Sequence, residues 1–136
     1  MTAEERALAD RLDIQELFAR YCYAVDSRDP DAVVDCFTED GVFDSSLTGV
    51  ERGRAQIRER IERGRERLPN GQRHFFLNPI IELDGDRATF RAYMLITWID
   101  NGRTPLRLTG HYHGTVVRDG GRWLFKERYM VADKSG

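Results

Sequence analysis

The chain has 136 residues, 40% of them apolar and 32% charged, with a formal net charge of −2. That length suits one domain, 1–136, whose core stands without disulfides, and the charge balance gives no global field for nucleic acid. The two cysteines, Cys22 and Cys36, form no CxxC or Cys/His spacing, so they read as small core residues and not as a disulfide framework or a zinc site.

The opening MTAEERALADRLD has no apolar signal core, and no segment approaches a membrane span, so a cytoplasmic protein is expected. Residues 3–26 are predicted to form a helix. Leu8, Leu12, Ile14, Leu17, Phe18, Tyr21, Cys22 and Val25 fall mostly on one side, and Asp10, Arg11, Gln15, Glu16 and Arg20 cover the rest. DSRDPD breaks it, with Asp29 as N-cap and Pro30 in the first position of a short second helix, PDAVVDCF. TEDG (38–41) is predicted as a turn and VFDSS as a brief strand. Residues 51–67 are predicted as a third, charge-rich helix with an Ile57/Ile61 pair that Leu68 extends. Its interleaved glutamates favour a solvated helix over an opening, not a basic phosphate-binding surface.

After LPNGQ, a predicted turn, the pattern changes to strands. These cover 73–83, 87–100, 106–118 and 122–132, separated by DGD, NGRTP and DGG. In the second of them Phe90, Ala92, Met94, Ile96 and Trp98 share one face. Arg91, Tyr93, Leu95, Thr97 and Ile99 share the other, and a monomer would leave that face wet, so a homo-oligomer is expected. The class is α+β: helices packed in a strongly curved antiparallel sheet, enclosing an apolar pocket walled by the first helix.

No GxGxxG, P-loop, HExxH or GxSxG is present, and the three histidines match no metal signature. What remains is general acid–base chemistry by His, Asp and Tyr in an apolar cavity. Asp26 closes the stretch RYCYAVD on the flank of the apolar stripe. It reads either as a helix-end residue like Asp29 and Asp31 or as a buried acid. His74 opens a strand and shares a face with Phe76 and Asn78 by alternation. It is either a satisfied core histidine or a general base whose tautomer an Asp fixes. His111 and His113 share a face opposite Tyr112, and the pattern leaves open which face is concave. Arg128 in the last strand is either solvated or an anion binder aimed into the pocket.

Three stretches carry a resemblance to a known family: DIQELFARYCYAVDSRDPDAVVDCFTEDGVFD (13–44), RHFFLNPIIELDGDRATF (73–90) and GHYHGTVVRDGGRWLFKERYMVAD (110–133). Together they resemble the SnoaL-like branch of the nuclear transport factor 2-like superfamily over nearly the whole chain. The resemblance implies a cone-shaped α+β barrel, three helices in a curved sheet with an apolar cavity open at one end. It also implies dimers or trimers. Members include polyketide cyclases, ketosteroid isomerase, scytalone dehydratase, bile-acid dehydratases, hexachlorocyclohexane dehydrochlorinase and the small subunits of ring-hydroxylating dioxygenases. In the dehydratase and dehydrochlorinase group an Asp ending the first helix pairs with a His opening a strand, which maps to Asp26 and His74. Tyr21 maps to a site-lining position, and Arg128 to an arginine of the final strand. One departure is that some dehydratases carry a further His or Asp in the long second strand, where this chain reads MLITWID.

The resulting expectation is a cofactor-independent, metal-free lyase acting on a small hydrophobic, cyclic molecule. His74 is the base, Asp26 orients it, and Tyr21 and Arg128 assist. Tyr23, Phe18, Phe43, Phe76, Asn78, Met94, Trp98, His111, Tyr112 and His113 are the candidate substrate-binding residues. Isomerisation or cyclisation of a ring ketone, and a non-catalytic assembly subunit, are the alternatives.

Overall fold

The computed structural model describes residues 1–67 and 71–134. Leu68, and with it most of the expected LPNGQ turn, lies outside the described residues. α1 (Ala3–Ser27) begins in a capping box: Thr2 Oγ1 accepts from the Glu5 N–H at 3.1 Å, and the Glu5 carboxylate accepts from the Thr2 N–H at 3.4 Å. It ends at Arg28, left-handed with φ 56°, whose N–H closes onto the carbonyls of Ala24 and Val25. The buried stripe follows the series Asp10, Ile14, Leu17, Tyr21, Val25, with Phe18, Cys22 and Ala24 beside it.

That series corrects the expected stripe at its start. Leu8 and Leu12 fall out of phase with it and are each 64% exposed, whereas Asp10, expected outside, is buried. Burial is tolerable because the carboxylate is paired and hydrogen-bonded through one oxygen. Arg118 Nη2 donates to Asp10 Oδ1 at 2.5 Å and Trp123 Nε1 donates to the same oxygen at 3.2 Å.

α2 (Pro30–Val34) starts as expected, with Asp29 Oδ1 accepting from the N–H groups of Asp31 and Ala32. It is shorter than expected, because Phe37 already opens β1 (Phe37–Ser45). The TEDG stretch is not a separate turn. It lies inside β1, at an irregularity in pairing between Phe37 and Val42. β2 (Gly49–Arg52), not anticipated, folds back on β1 and takes the first residues assigned to the third helix. α3 is therefore Arg54–Gly64, anchored by buried Ile57. β3 (Arg73–Asp84), β4 (Arg87–Thr97), β5 (Leu106–Asp119) and β6 (Arg122–Ala132) complete the chain.

The strands form one six-stranded, curved sheet in the order β2-β1-β6-β5-β4-β3. The α+β class stands, with two differences from the expected barrel. The sheet is unclosed, with β2 and β3 as edges, and β1 runs parallel to β6, not antiparallel. Parallel pairing follows from the long return: everything from β2 to β5 intervenes between the two strands.

Cross-strand register writes the inner face row by row. One row runs His74, Ile96, Leu108; the next Phe76, Met94, Gly110, Ala132. A third runs Ala92, Tyr112, Met130, Ser45, and a fourth Phe90, Gly114, Arg128, Phe43. Gly114 is required in the last of these. Its φ is 153°, and a Cβ there would stand 2.0 Å from the Glu127 carbonyl oxygen. α1 lies across this face, and Phe18 stacks on Phe76, itself stacked on Tyr112, with ring centroids 4.3 Å apart in both pairs. Cys22 and Cys36 are free and buried, as the sequence indicates, and burial pushes their thiols up to about 12 and about 11. Among the described residues no helix is long and apolar enough to cross a membrane.

Candidate active site

Between α1, α3 and the inner face of the sheet lies a cavity of about 600 Å³, within the usual range for small-molecule sites. His74 enters its wall because it opens β3 on the inward phase of the strand, next to Ile96. Directly behind it is the last turn of α1. Asp26 Oδ1 accepts from His74 Nδ1 at 2.7 Å, and the two carboxylate oxygens accept the His74 backbone N–H at 3.1 and 3.0 Å. One side chain thus fixes both the strand end and the ring. A carboxylate only accepts, so Nδ1 carries the hydrogen and Nε2 keeps a free lone pair. Both side chains are nearly buried, at 11% and 12% exposure.

Asp26 sits at the negative end of the α1 dipole, with no basic residue in that turn. A helix end does not favour a carboxylate there. The bonds to His74 are what retain it.

Tyr21 lies one turn earlier on α1. It lines the cavity and is 2% exposed. Burial pushes its hydroxyl up to about 12, against the pull of Arg128, so it remains a proton donor at neutral pH. Tyr112 faces the same cavity from β5, and burial again raises its hydroxyl. Arg128 completes the floor at 2% exposure. Its guanidinium stands 4.0 Å from the Phe43 ring centroid, 5.5 Å from that of Tyr21 and 5.4 Å from that of Tyr112. Nη2 donates to the Asp44 carbonyl at 3.2 Å, while the buried Nε has no hydrogen-bond partner. Arg128 makes no ion pair among the described residues, and a buried cation without a counter-charge is costly. The site is poised for negative charge.

Of the candidates from sequence, Tyr21, Phe43, His74, Met94, Trp98, Tyr112 and Arg128 line this cavity, and Asp26 backs it. Phe18 and Phe76 do not line it; they form the aromatic layer behind Tyr112. Four candidates lie elsewhere. Tyr23 is 79% exposed on the outer side of α1. Asn78 breaks the alternation of β3: it adopts φ 53° at a bulge between Leu77 and Ile80, and is exposed. His111 and His113 occupy the sheet face opposite Tyr112 and are exposed. Among the described residues, no three His, Cys, Asp or Glu side chains gather as a metal would need.

Sequence reasoning missed the arginines at the cavity mouth: Arg60, Arg63 and Arg67 at and beyond the end of α3, and Arg107 on β5. It also missed Gln72, which is buried against the cavity with its Oε1 unpartnered. The signal for the α3 set was present. Residues 60, 63, 64 and 67 share one helical face, while Glu62 and Glu66 fall off it and Glu59 stands on its flank, one i,i+4 step from Arg63.

A family model described as a SnoaL-like domain matches residues 6–129. The D26N variant of Rv3472, a protein of unknown function from Mycobacterium tuberculosis, superposes with a TM-score of 0.90. It is 30% identical over 99% of this chain and 78% of its own. A proposed aromatic ring hydroxylase from Novosphingobium aromaticivorans DSM is 33% identical, over 94% of this chain and 92% of its own, with a TM-score of 0.79. A proposed scytalone dehydratase from N. aromaticivorans DSM 12444 shares the fold at a TM-score of 0.84, with 23% identity over 96% and 89% of the two chains. No curated protein matches the chain.

Proposed function

The chain belongs to the SnoaL-like domain family, and we propose that within it the chain is a cofactor-independent lyase that eliminates water or a halide from a small, hydrophobic ring compound. The observation that carries this reading is the His74–Asp26 pair at the cavity wall, Nδ1 to Oδ1 at 2.7 Å. His74 Nε2 takes a proton from a ring carbon. The C–H electron pair becomes the new C=C bond, and the group on the neighbouring carbon leaves with its own bonding pair. Asp26 holds the tautomer and offsets the charge of the imidazolium. Arg128, a buried cation with no carboxylate partner among the described residues, stabilises the departing anion. Tyr21, kept protonated by burial, donates to a carbonyl or to the leaving oxygen. The neighbours named above support the substrate class, since one carries an aromatic-ring activity in its name and the other a dehydratase activity.

The test is turnover of cyclic β-hydroxy ketones and halocycloalkanes, with products weighed by mass spectrometry. Loss of water or hydrogen halide is expected, with rates cut in both His74→Ala and Asp26→Asn. Near-normal rates in both variants sink the assignment. A product of unchanged mass indicates isomerisation or cyclisation by the same base.

A second reading, a non-catalytic subunit of a ring hydroxylase, draws on the hydroxylase neighbour. It requires a larger partner that co-purifies and a chain inert by itself on every substrate tried.

A further inference from the structure

The charge around the cavity is segregated. Its described lining holds six arginines, Arg28, Arg60, Arg63, Arg67, Arg107 and Arg128, and no Asp, Glu or Lys. The chain as a whole is net negative. α3 does the sorting: Arg60 and Arg63, with Arg67 just beyond, line the cavity, and Glu59, Glu62 and Glu66 do not. Carboxylates reach the rim only from outside it. Glu51 is shared by Arg60 and Arg63 at 3.6 and 3.7 Å, beyond hydrogen-bond length, Glu59 binds Arg63 at 3.0 Å, and Asp100 binds Arg107. Two of the guanidiniums are folded over the apolar wall, Arg107 at 4.9 Å from the Trp98 ring centroid and Arg60 at 5.3 Å from that of Phe43. The four mouth arginines, Arg60, Arg63, Arg67 and Arg107, exceed these three carboxylates by one charge, so the rim keeps a net positive charge at the entrance to a low-dielectric cavity, an arrangement that attracts anions.

We propose that the substrate carries an anionic group, a carboxylate or a phosphate monoester, on its apolar body, and that Arg60, Arg63, Arg67 and Arg107 hold this group at the mouth. The proposal deepens the lyase reading and rests on the same cavity. It divides the two kinds of arginine. Arg128, deep in the floor, serves the reacting centre, and the rim set grips a part of the substrate that does not react. Planar guanidinium forks suit both oxyanions. A non-reacting anchor of this kind positions the ring against His74.

Binding of three probes with a common naphthalene body separates the possibilities: 2-naphthoate, 2-naphthyl phosphate and the uncharged 2-naphthamide. Titration calorimetry at low salt gives the affinities, and Trp98 beside Arg107 supplies a fluorescence readout. At least one anion is expected to bind about tenfold tighter than the amide, and the better of the two identifies the group. The preference is expected to fall about tenfold in the Arg60→Gln/Arg107→Gln double variant and to return in part in Arg60→Lys/Arg107→Lys, which controls for folding. Equal affinity for all three probes, no binding of either anion, a full preference in the glutamine variant, or a preference lost only in Arg128→Met each overturns the proposal. The same titrations on His74→Ala keep the two readings apart. An anion preference with no lyase activity in the wild type removes the reaction alone, and His74-dependent elimination with no anion preference removes the anchor alone.

Discussion

α1 carries two carboxylates into the protein, Asp10 and Asp26, and their circumstances differ in one respect that decides their use. Asp10 is 7% exposed and bonded to Arg118 and to the Trp123 indole, with a second acid, Asp86, on the same guanidinium. Every partner there is a permanent donor, and Asp10 lines no part of the cavity. Asp26 is bonded to a histidine, a group that both gives and takes a proton near neutral pH, and the far side of that ring meets the cavity. The first carboxylate holds structure, and in the proposed reaction the second orients the base. The residue type is the same; the partner's chemistry and the space beyond it are not.

Breaking the Asp26 end should damage turnover and spare the fold. His74→Ala is expected to lower kcat by about 10²–10⁴-fold, the usual worth of a positioned base. Asp26→Asn should fall in the same range, because an amide NH₂ facing Nδ1 selects the wrong tautomer. Its melting temperature should stay close to wild type, since removing a negative charge from the helix C-terminus relieves the dipole and offsets the weakened bonds. An Asp26→Asn protein that melts early and keeps its rate would invert the comparison.

Breaking the Asp10 end should do the reverse. Asp10→Ala leaves the buried Trp123 N–H without its acceptor and the Arg118 guanidinium with Asp86 alone, which costs about 1–3 kcal/mol; urea unfolding measures it. The rate per folded molecule should not change. Acid should reproduce the effect. Burial acts to raise the Asp10 carboxyl, but Arg118 and Trp123 outweigh it and hold the group below its ordinary value of 3.8. A carboxylate depressed in the folded state contributes stability above the ordinary value, and that stability is lost as pH falls through the depressed one.

The two carboxylates were not equally legible in the sequence. Asp26 could be matched to His74 because a helix end and a strand start are both recognisable, and the family pattern joins them. Asp10 read as surface because Leu8 and Leu12 fitted the same stripe; only packing set the helix phase that excludes them. Alternation put Met94 and Trp98 on one face, and the cavity lies on that side; between Tyr112 and the pair His111 and His113 it left the choice open, and packing decides it. It failed at Asn78, where a bulge shifts the phase. The parallel seam between β1 and β6 joins residues 85 to 88 positions apart, and no local pattern encodes it. The rim arginines were hidden by their own glutamates, which cancel in composition and separate only on the helical wheel.

The outer sheet face supplies the mildest test. His111 and His113 lie there with ring centroids 5.8 Å apart, and His113 stacks on Tyr129 at 4.9 Å. Arg91 pairs with His113 across the strands, and Asp44 is the nearby acid. Neither histidine meets the cavity, so His111→Ala and His113→Ala should leave kcat unchanged. Their trace should appear in stability alone. Burial first, then His111, holds the His113 imidazole below its ordinary value of 6.5, against a small opposing pull from Asp44. The unfolded chain then binds more protons than the folded one between the lowered and the ordinary value, so stability declines as pH falls through that window and levels off below it. In thermal melts from pH 7.5 to 5, His113→Gln should lose a small part of the wild-type decline, and more of it at low salt than at high. Superimposable profiles for the two proteins would show that this pair of histidines does not couple to folding. A changed kcat in either alanine variant would mean that the sheet does not separate the two faces as the geometry of His74 requires.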